Sequence, residues 1–132
     1  MSPSMQKGII FTEKAPKPIG PYSQAVRVGD FLFLSGMIAL NPATGKVEDT
    51  DIRSQTRRVI ENAKAILEAA GLSLEHVVKA TVYLGNPDDF AAMNEVYSQY
   101  FSKSPPARTT VAVHFPRKEF LVEIDFIAYA GR

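Results

Sequence analysis

Phe120-Leu121-Val122-Glu123-Ile124-Asp125-Phe126-Ile127-Ala128-Tyr129-Ala130 carries the period of two that sends successive side chains to opposite faces of a strand. One face is apolar throughout: Phe120, Val122, Ile124, Phe126 and Ala128. The other mixes Leu121, Glu123, Asp125, Ile127 and Tyr129. A strand so apolar on one side needs a layer over it, and two helices further up the chain can supply one. Ile52, Thr56, Val59, Ile60, Ala63, Ile66, Leu67 and Ala70 recur at steps of three and four, the spacing of one helical face. Thr50 or Asp51 can cap its start, and Gly71 stands where a left-handed residue ends a helix. The second helix opens at Asn86-Pro87, cap plus first-turn proline, with Asp88 and Asp89 near the positive end of the dipole. Its stripe is Phe90, Met93, Val96, Tyr97, Tyr100 and Phe101.

Working outward, residues 8–12 read as a short strand, and residues 15–21 hold three prolines that exclude helix and central strand. Residues 24–28 and 31–35 flank Gly29-Asp30, a hairpin signal. Asn41-Pro42-Ala43-Thr44-Gly45 has turn chemistry. Residues 77–84 place Val78, Ala80, Val82 and Leu84 on one strand face. Residues 108–115 place Thr109, Val111, Val113 and Phe115 on one face and Arg108, Thr110, Ala112 and His114 on the other. The order is strands, helix, strand, helix, strands, which predicts an α+β chain with both helices on one face of a mixed sheet. Since Leu121, Ile127 and Tyr129 lie on the uncovered face, a partner subunit is expected there.

The chain has 132 residues, 45% hydrophobic and 22% charged, the composition of one globular domain spanning residues 1–132. Fifteen basic and fourteen acidic residues give a net charge of +1, which argues against a nucleic-acid partner. With no Cys, disulfides, thiolate nucleophiles and zinc-thiolate sites are excluded. Two His do not close a structural metal site, so no metal is expected. No apolar run is long enough for a membrane span, and the residues from Met1 to Lys7 lack the apolar segment of a signal peptide. A soluble, cytoplasmic protein is the expectation.

Several residues have the chemistry of a site. Arg108 opens a strand directly after Pro105-Pro106-Ala107, and a planar guanidinium so directed suits a bidentate grip on a carboxylate. From its position alone, an ordinary edge-strand arginine in solvent is the leading reading. Glu123 sits mid-strand in an apolar run, where partial burial raises a carboxyl toward useful proton-transfer values; it can also belong to the wet face of an antiparallel sheet. Tyr22, after Ile19-Gly20-Pro21, can place a phenol at a cleft edge or simply pack. Ser35-Gly36 ends a strand where glycine permits close backbone approach. Asn94 lies on the second helix. No nucleophile-elbow motif, phosphate-cradling loop or dinucleotide fingerprint occurs, and Arg57-Arg58 reads as a solvated face.

Taken in order, these segments resemble one family. They are APKPIGPYSQA at residues 15–25, Phe33 to Gly36, Asn41-Pro42 with Thr44-Gly45, Gln55-Thr56-Arg57, Asn62 and EAAGL at residues 68–72. Val78 to Leu84, Asp89-Phe90, Met93-Asn94-Glu95-Val96-Tyr97, Pro106-Ala107-Arg108 and Val122-Glu123-Ile124 follow. Together they resemble the Rid family, the reactive intermediate deaminases also labelled YjgF or L-PSP, over essentially the whole chain. The resemblance implies a chorismate mutase-like α+β fold, a mixed six-stranded sheet with two helices on one face, assembled as a homotrimer with ligand clefts between neighbouring subunits. It implies hydrolysis of enamine or imine intermediates released by pyridoxal-phosphate enzymes, such as 2-iminobutanoate and 2-iminopropanoate, to 2-oxo acids and ammonia with no cofactor. On this chain Arg108 would clamp the substrate carboxylate, with the Thr110 backbone beside it. Glu123 would position the attacking water or relay a proton, Tyr22 would line the cleft, and Ser35, Gly36 and Asn94 would form its wall. The departures are Thr110 where the family often has Cys, Met37 where glutamine is common, Phe115 where leucine is usual, and a slightly short run from Arg108 to Pro116. They bear on substrate preference. An endoribonuclease or translation inhibitor and a non-catalytic metabolite-binding trimer are the alternatives.

Overall fold

A computed structural model describes residues 7–131, so the N-terminal residues 1–6 lie outside it. Six strands, β1 (Gly8–Ile10), β2 (Ala25–Val28), β3 (Phe31–Leu34), β4 (Val77–Leu84), β5 (Ala107–Ala112) and β6 (Val122–Tyr129), form one sheet in the order β1-β2-β3-β6-β4-β5. Helix α1 (Ile52–Ala69) and helix α2 (Phe90–Tyr100) complete the fold. Neighbouring strands run antiparallel except β4 and β5. A parallel pair needs a crossover rather than a tight turn, and α2 is that crossover. The result is the mixed six-stranded, chorismate mutase-like α+β arrangement expected.

The decisive strand β6 lies in the middle of the sheet. Val122, Ile124, Phe126 and Ala128 are buried against the apolar side of α1, where Val59, Ile60, Ala63, Ile66 and Leu67 form the same core. Asp51 is the cap: its Oδ1 accepts the Ser54 N–H at 2.9 Å. Gly71 ends α1 with a φ of 77°, and the Leu72 N–H returns to the Leu67 carbonyl at 2.8 Å. Asn86 Oδ1 accepts the Asp88 N–H at 2.9 Å, and a tight turn over Pro87–Asp89 leads into α2.

Three expectations need correction. Val78 points outward and Val77 inward, because the β4–β6 register shifts between Val77 and Lys79. The strand expected at residues 108–115 begins at Ala107 and ends at Ala112; beyond it the Val113 N–H still bonds sheet backbone, at the Leu84 carbonyl. Phe90, placed on the apolar stripe of the second helix, is 46% exposed. The sheet face away from the helices carries Phe31, Phe33, Ile127 and Tyr129 at one end, with the Phe31 and Tyr129 rings 5.0 Å apart. Lys79, Thr81, Tyr83, Glu123 and Asp125 occupy its other end.

Candidate active site

Residues from three chain segments surround a hollow of about 390 Å³ whose wall includes Ile19, Tyr22, Ser35, Gly36, Ile38, Pro116, Phe120 and Glu123. The proline loop is held by one buried side chain. Gln24 accepts the Thr12 N–H at 2.8 Å and donates to the carbonyls of Thr12, Ala15 and Pro16. Such a loop has few partners of its own for its backbone groups, and an amide with both donors and acceptors supplies them. Within this loop the Tyr22 hydroxyl accepts the Ile19 N–H at 3.1 Å, so its own proton remains to be given. Ser35 Oγ donates to the Ser23 carbonyl at 2.6 Å, which fixes the strand exit beside the loop.

Gly36 and Glu123 are the tightest fit in the hollow. Met37 and Ile124 exchange both backbone hydrogen bonds, at 2.7 and 3.1 Å, and so press residue 36 onto Glu123. A Cβ on residue 36 would fall on the Glu123 carboxylate, so only glycine leaves that space open. The Glu123 side chain is half-buried and makes no hydrogen bond among the described residues. Burial first, and the neighbouring Asp125 charge second, push its carboxyl above the usual carboxylate range. Asp125 is itself anchored, accepting the Tyr83 hydroxyl at 2.8 Å, and that bond is the first cause of the raised Tyr83 phenol.

The other sequence-predicted residues lie elsewhere in the chain. Arg108 pairs with Ala80 on β4, whereas Glu123 pairs with Tyr83. Ala80 and Tyr83 face opposite sides of the sheet, so Arg108 points to the helix side and Glu123 away from it. The Arg108 guanidinium lies 4.8 Å from the Tyr97 ring centroid and 5.8 Å from that of Phe90. No hydrogen bond or ion pair engages it among the described residues. Thr110, on the same side, buries an Oγ1 that has no partner among the described residues. Asn94 lies on α2 between Phe90 and Tyr97, partly buried and outside the hollow. One chain thus holds the candidate residues in separate places: Tyr22, Ser35, Gly36 and Glu123 at the hollow, and Arg108, Thr110 and Asn94 outside it.

Sequence reasoning missed Gln24 and Gln55, which are buried and hold the segments around the hollow. It also missed Ile38, Pro116 and Phe120 as wall residues and the rings beneath Arg108. The only local signal was an amide on an otherwise apolar helical stripe, as at Gln55. Among the described residues no three His, Cys, Asp or Glu side chains converge as metal ligands, and no helix is long and apolar enough to cross a membrane.

A single mixed sheet with two helices on one side, and a desolvated acid against a glycine, defines a small α+β protein with a candidate acid–base site. The profile of the family described as Endoribonuclease L-PSP matches residues 12–130. A RutC family protein of Pyrococcus abyssi is 60% identical over 125 residues, covering 95% of this chain and 98% of that protein. The Arabidopsis thaliana protein named Reactive Intermediate Deaminase A, chloroplastic, is 41% identical over 125 residues, 95% of this chain and 67% of its own length. The crystal structure of E. coli TdcF with bound serine aligns with a TM-score of 0.88 at 42% identity, covering 94% of this chain and 99% of that one. The chain belongs to the Rid family, the YjgF/L-PSP proteins.

Proposed function

We propose that this protein is a cofactor-independent imine deaminase that hydrolyses small 2-imino acids, 2-iminobutanoate and 2-iminopropanoate among them, to 2-oxo acids and ammonia. We place the reaction in the cytoplasm, in clefts between the subunits of a homotrimer. The observation that carries this is the pair of unsatisfied half-sites: a carboxyl raised by burial over Gly36 and a guanidinium with no acceptor among the described residues. Neither half completes itself alone, and the exposed aromatic patch of Phe31, Phe33 and Tyr129 on the open sheet face gives copies of the chain a surface to meet on. The named deaminase relative and the serine bound to TdcF are consistent with a ligand that carries a carboxylate and a nitrogen on the adjacent carbon.

The chemistry needs little. In a 2-imino acid the C=N carbon is already electrophilic, so holding it and delivering a water goes far. Arg108 receives the carboxylate in a bidentate grip. The ionised Glu123 carboxylate takes one proton from water as the water oxygen bonds to the carbon of the protonated imine, leaving a neutral carbinolamine. The carbinolamine then collapses: Glu123 returns that proton to the nitrogen, the C–N bond breaks to release ammonia, and the hydroxyl proton passes back to the freed Glu123 carboxylate, and on to solvent, as the carbonyl forms. Tyr22, with its phenolic proton unused, donates to the developing oxygen or nitrogen. Proton transfer of this kind contributes roughly 10²–10⁴-fold.

The test couples a threonine dehydratase to this protein and follows the rate of 2-oxobutanoate and ammonia release. Arg108→Ala is expected to abolish the acceleration while the assembly stays intact; undiminished turnover ends the proposal. The family profile's description favours a second activity, cleavage of RNA, against which stand a net charge of +1 and only two His. Salt-dependent cleavage by purified protein, lost in a point variant, would establish it. Tight 2-oxo acid binding without ammonia release would identify a non-catalytic metabolite-binding trimer instead.

A further inference from the structure

We propose that Tyr97, with Phe90 beside it, is the positioning residue for Arg108, a stacking platform that aims the guanidinium while leaving its N–H groups free for a ligand carboxylate. This rests on the assignment of Arg108 as the carboxylate grip and goes beyond it. An arginine held by carbonyls or carboxylates has its donors occupied before a ligand arrives. An arginine held by nothing has many rotamers to lose on binding. A ring face solves both difficulties, because the cation is attracted to the π cloud while the donors around the guanidinium edge stay open. That is the arrangement here: the Arg108 Cζ lies 4.8 Å from the Tyr97 centroid and 5.8 Å from that of Phe90.

The platform is rigid because it stands on the core. Tyr97 packs on Phe101 at 4.7 Å between centroids, and Phe101 on Phe126 at 5.9 Å. Tyr97 and Phe101 are each 6% exposed and Phe126 1%, and Phe126 lies on the central strand β6. A column of three rings therefore connects the middle of the sheet to the guanidinium. Phe90 and Tyr97 are seven residues apart, on one face of α2, and both rings reach the same cation. The Tyr97 hydroxyl is buried without a hydrogen-bond partner among the described residues, and it is the ring that faces the Arg108 guanidinium.

The experiment compares Tyr97→Leu, Tyr97→Phe and Phe90→Leu by calorimetric binding of 2-oxobutanoate and by coupled turnover. Tyr97→Leu is expected to raise Kd and KM about tenfold, the scale of a partly desolvated cation–π contact, with kcat within about twofold. Phenylalanine, which keeps the ring, restores wild-type Kd. Phe90→Leu, at a half-exposed position that folding tolerates, raises Kd by about threefold, as an exposed contact would. In the Arg108→Ala background, Tyr97→Leu adds no further loss, because the coupling runs through the guanidinium. The Arg108 Nε–Hε resonance is shifted by ring current in the wild type and returns to the free-arginine position in Tyr97→Leu. Binding lost in Arg108→Ala but kept in Tyr97→Leu and Phe90→Leu overturns the platform alone. Binding undisturbed by Arg108→Ala overturns the carboxylate grip and the platform with it.

Discussion

Glu123 is held where its charged form is disfavoured, and the direction of that shift has measurable consequences. Its folded-state pKa lies above the ordinary carboxylate value, through burial first and Asp125 second. The protonated carboxyl is therefore favoured by folding. Stability tied to this group is fully present below the ordinary carboxylate range and is lost as pH rises through the raised value. Glu123→Gln removes that loss, so thermal melts should place the variant above the wild type at pH 8 and level with it at pH 4. Catalysis runs the other way, since the proposed base must be ionised to accept a proton, and activity falls as pH drops through the same raised value. Asp125→Asn takes away a negative charge that opposes ionisation of Glu123, so the acidic limb of kcat/KM should move to lower pH. An unmoved limb would show that Asp125 does not act on the group that titrates. Gly36 offers a steric counterpart. It is not in the left-handed region, so alanine is acceptable to the backbone there, but the added methyl occupies the place of the Glu123 carboxylate. Gly36→Ala should displace the carboxylate by about an ångström and lower kcat by roughly 10²-fold with an unchanged melting temperature; wild-type turnover would mean that the carboxylate's position is immaterial.

At the scale of elements, helix α1 does more than cover the sheet. Gln55 Nε2 donates to the carbonyls of Asp49 and Glu119, at 3.0 and 2.7 Å, and its Oε1 accepts the Leu121 N–H at 2.9 Å. These bonds tie the segment leading into β6, with Pro116 and Phe120 of the hollow wall, to the helix. Gln55→Ala leaves buried backbone groups unpaired and should cost about 3 kcal/mol, a fall in Tm of roughly 10 °C, together with a rise in KM as the wall loosens. A variant as stable as the wild type would show that the segment is held by packing alone. The stripe from Ile52 to Leu67 made α1 legible in the sequence, and so did its caps. The amide inside that stripe gave no hint of its distant partners. The face of a strand was legible from alternation, but which faces of two strands lie on the same side of the sheet is a matter of register. Arg108 and Glu123 were both legible as candidates, yet their opposite orientation follows from the pairing of β5 with β4 and of β4 with β6, contacts made across long stretches of chain. The Val77–Lys79 shift is of the same kind: β4 slips one residue to satisfy β6, and local propensity does not record it.

For the whole molecule, the sheet divides the work. Its helix-covered side is a closed core from which Arg108 emerges at the edge strand, while its open side carries both Glu123 and the aromatic patch of Phe31, Phe33 and Tyr129. If neighbouring copies associate through the open face, as proposed, each cleft takes its guanidinium from one copy and its carboxyl from the next. Two inactive variants then become a test of assembly. Arg108→Ala retains an intact acid half and Glu123→Gln an intact basic half, so each homotrimer is inactive at every cleft. In mixed trimers, a cleft is whole wherever a Glu123→Gln subunit presents its arginine to an Arg108→Ala subunit, which for random equal mixing is about one seam in four in a cyclic assembly. Unfolding and refolding the two variants together should therefore restore about a quarter of wild-type turnover, and mixing them without exchange should restore none. Mass spectrometry of the co-refolded sample establishes that hetero-oligomers have formed. Turnover that stays at background in verified mixed trimers would place both groups' function within a single copy, where the sheet itself stands between them, and the shared cleft would be lost as an explanation.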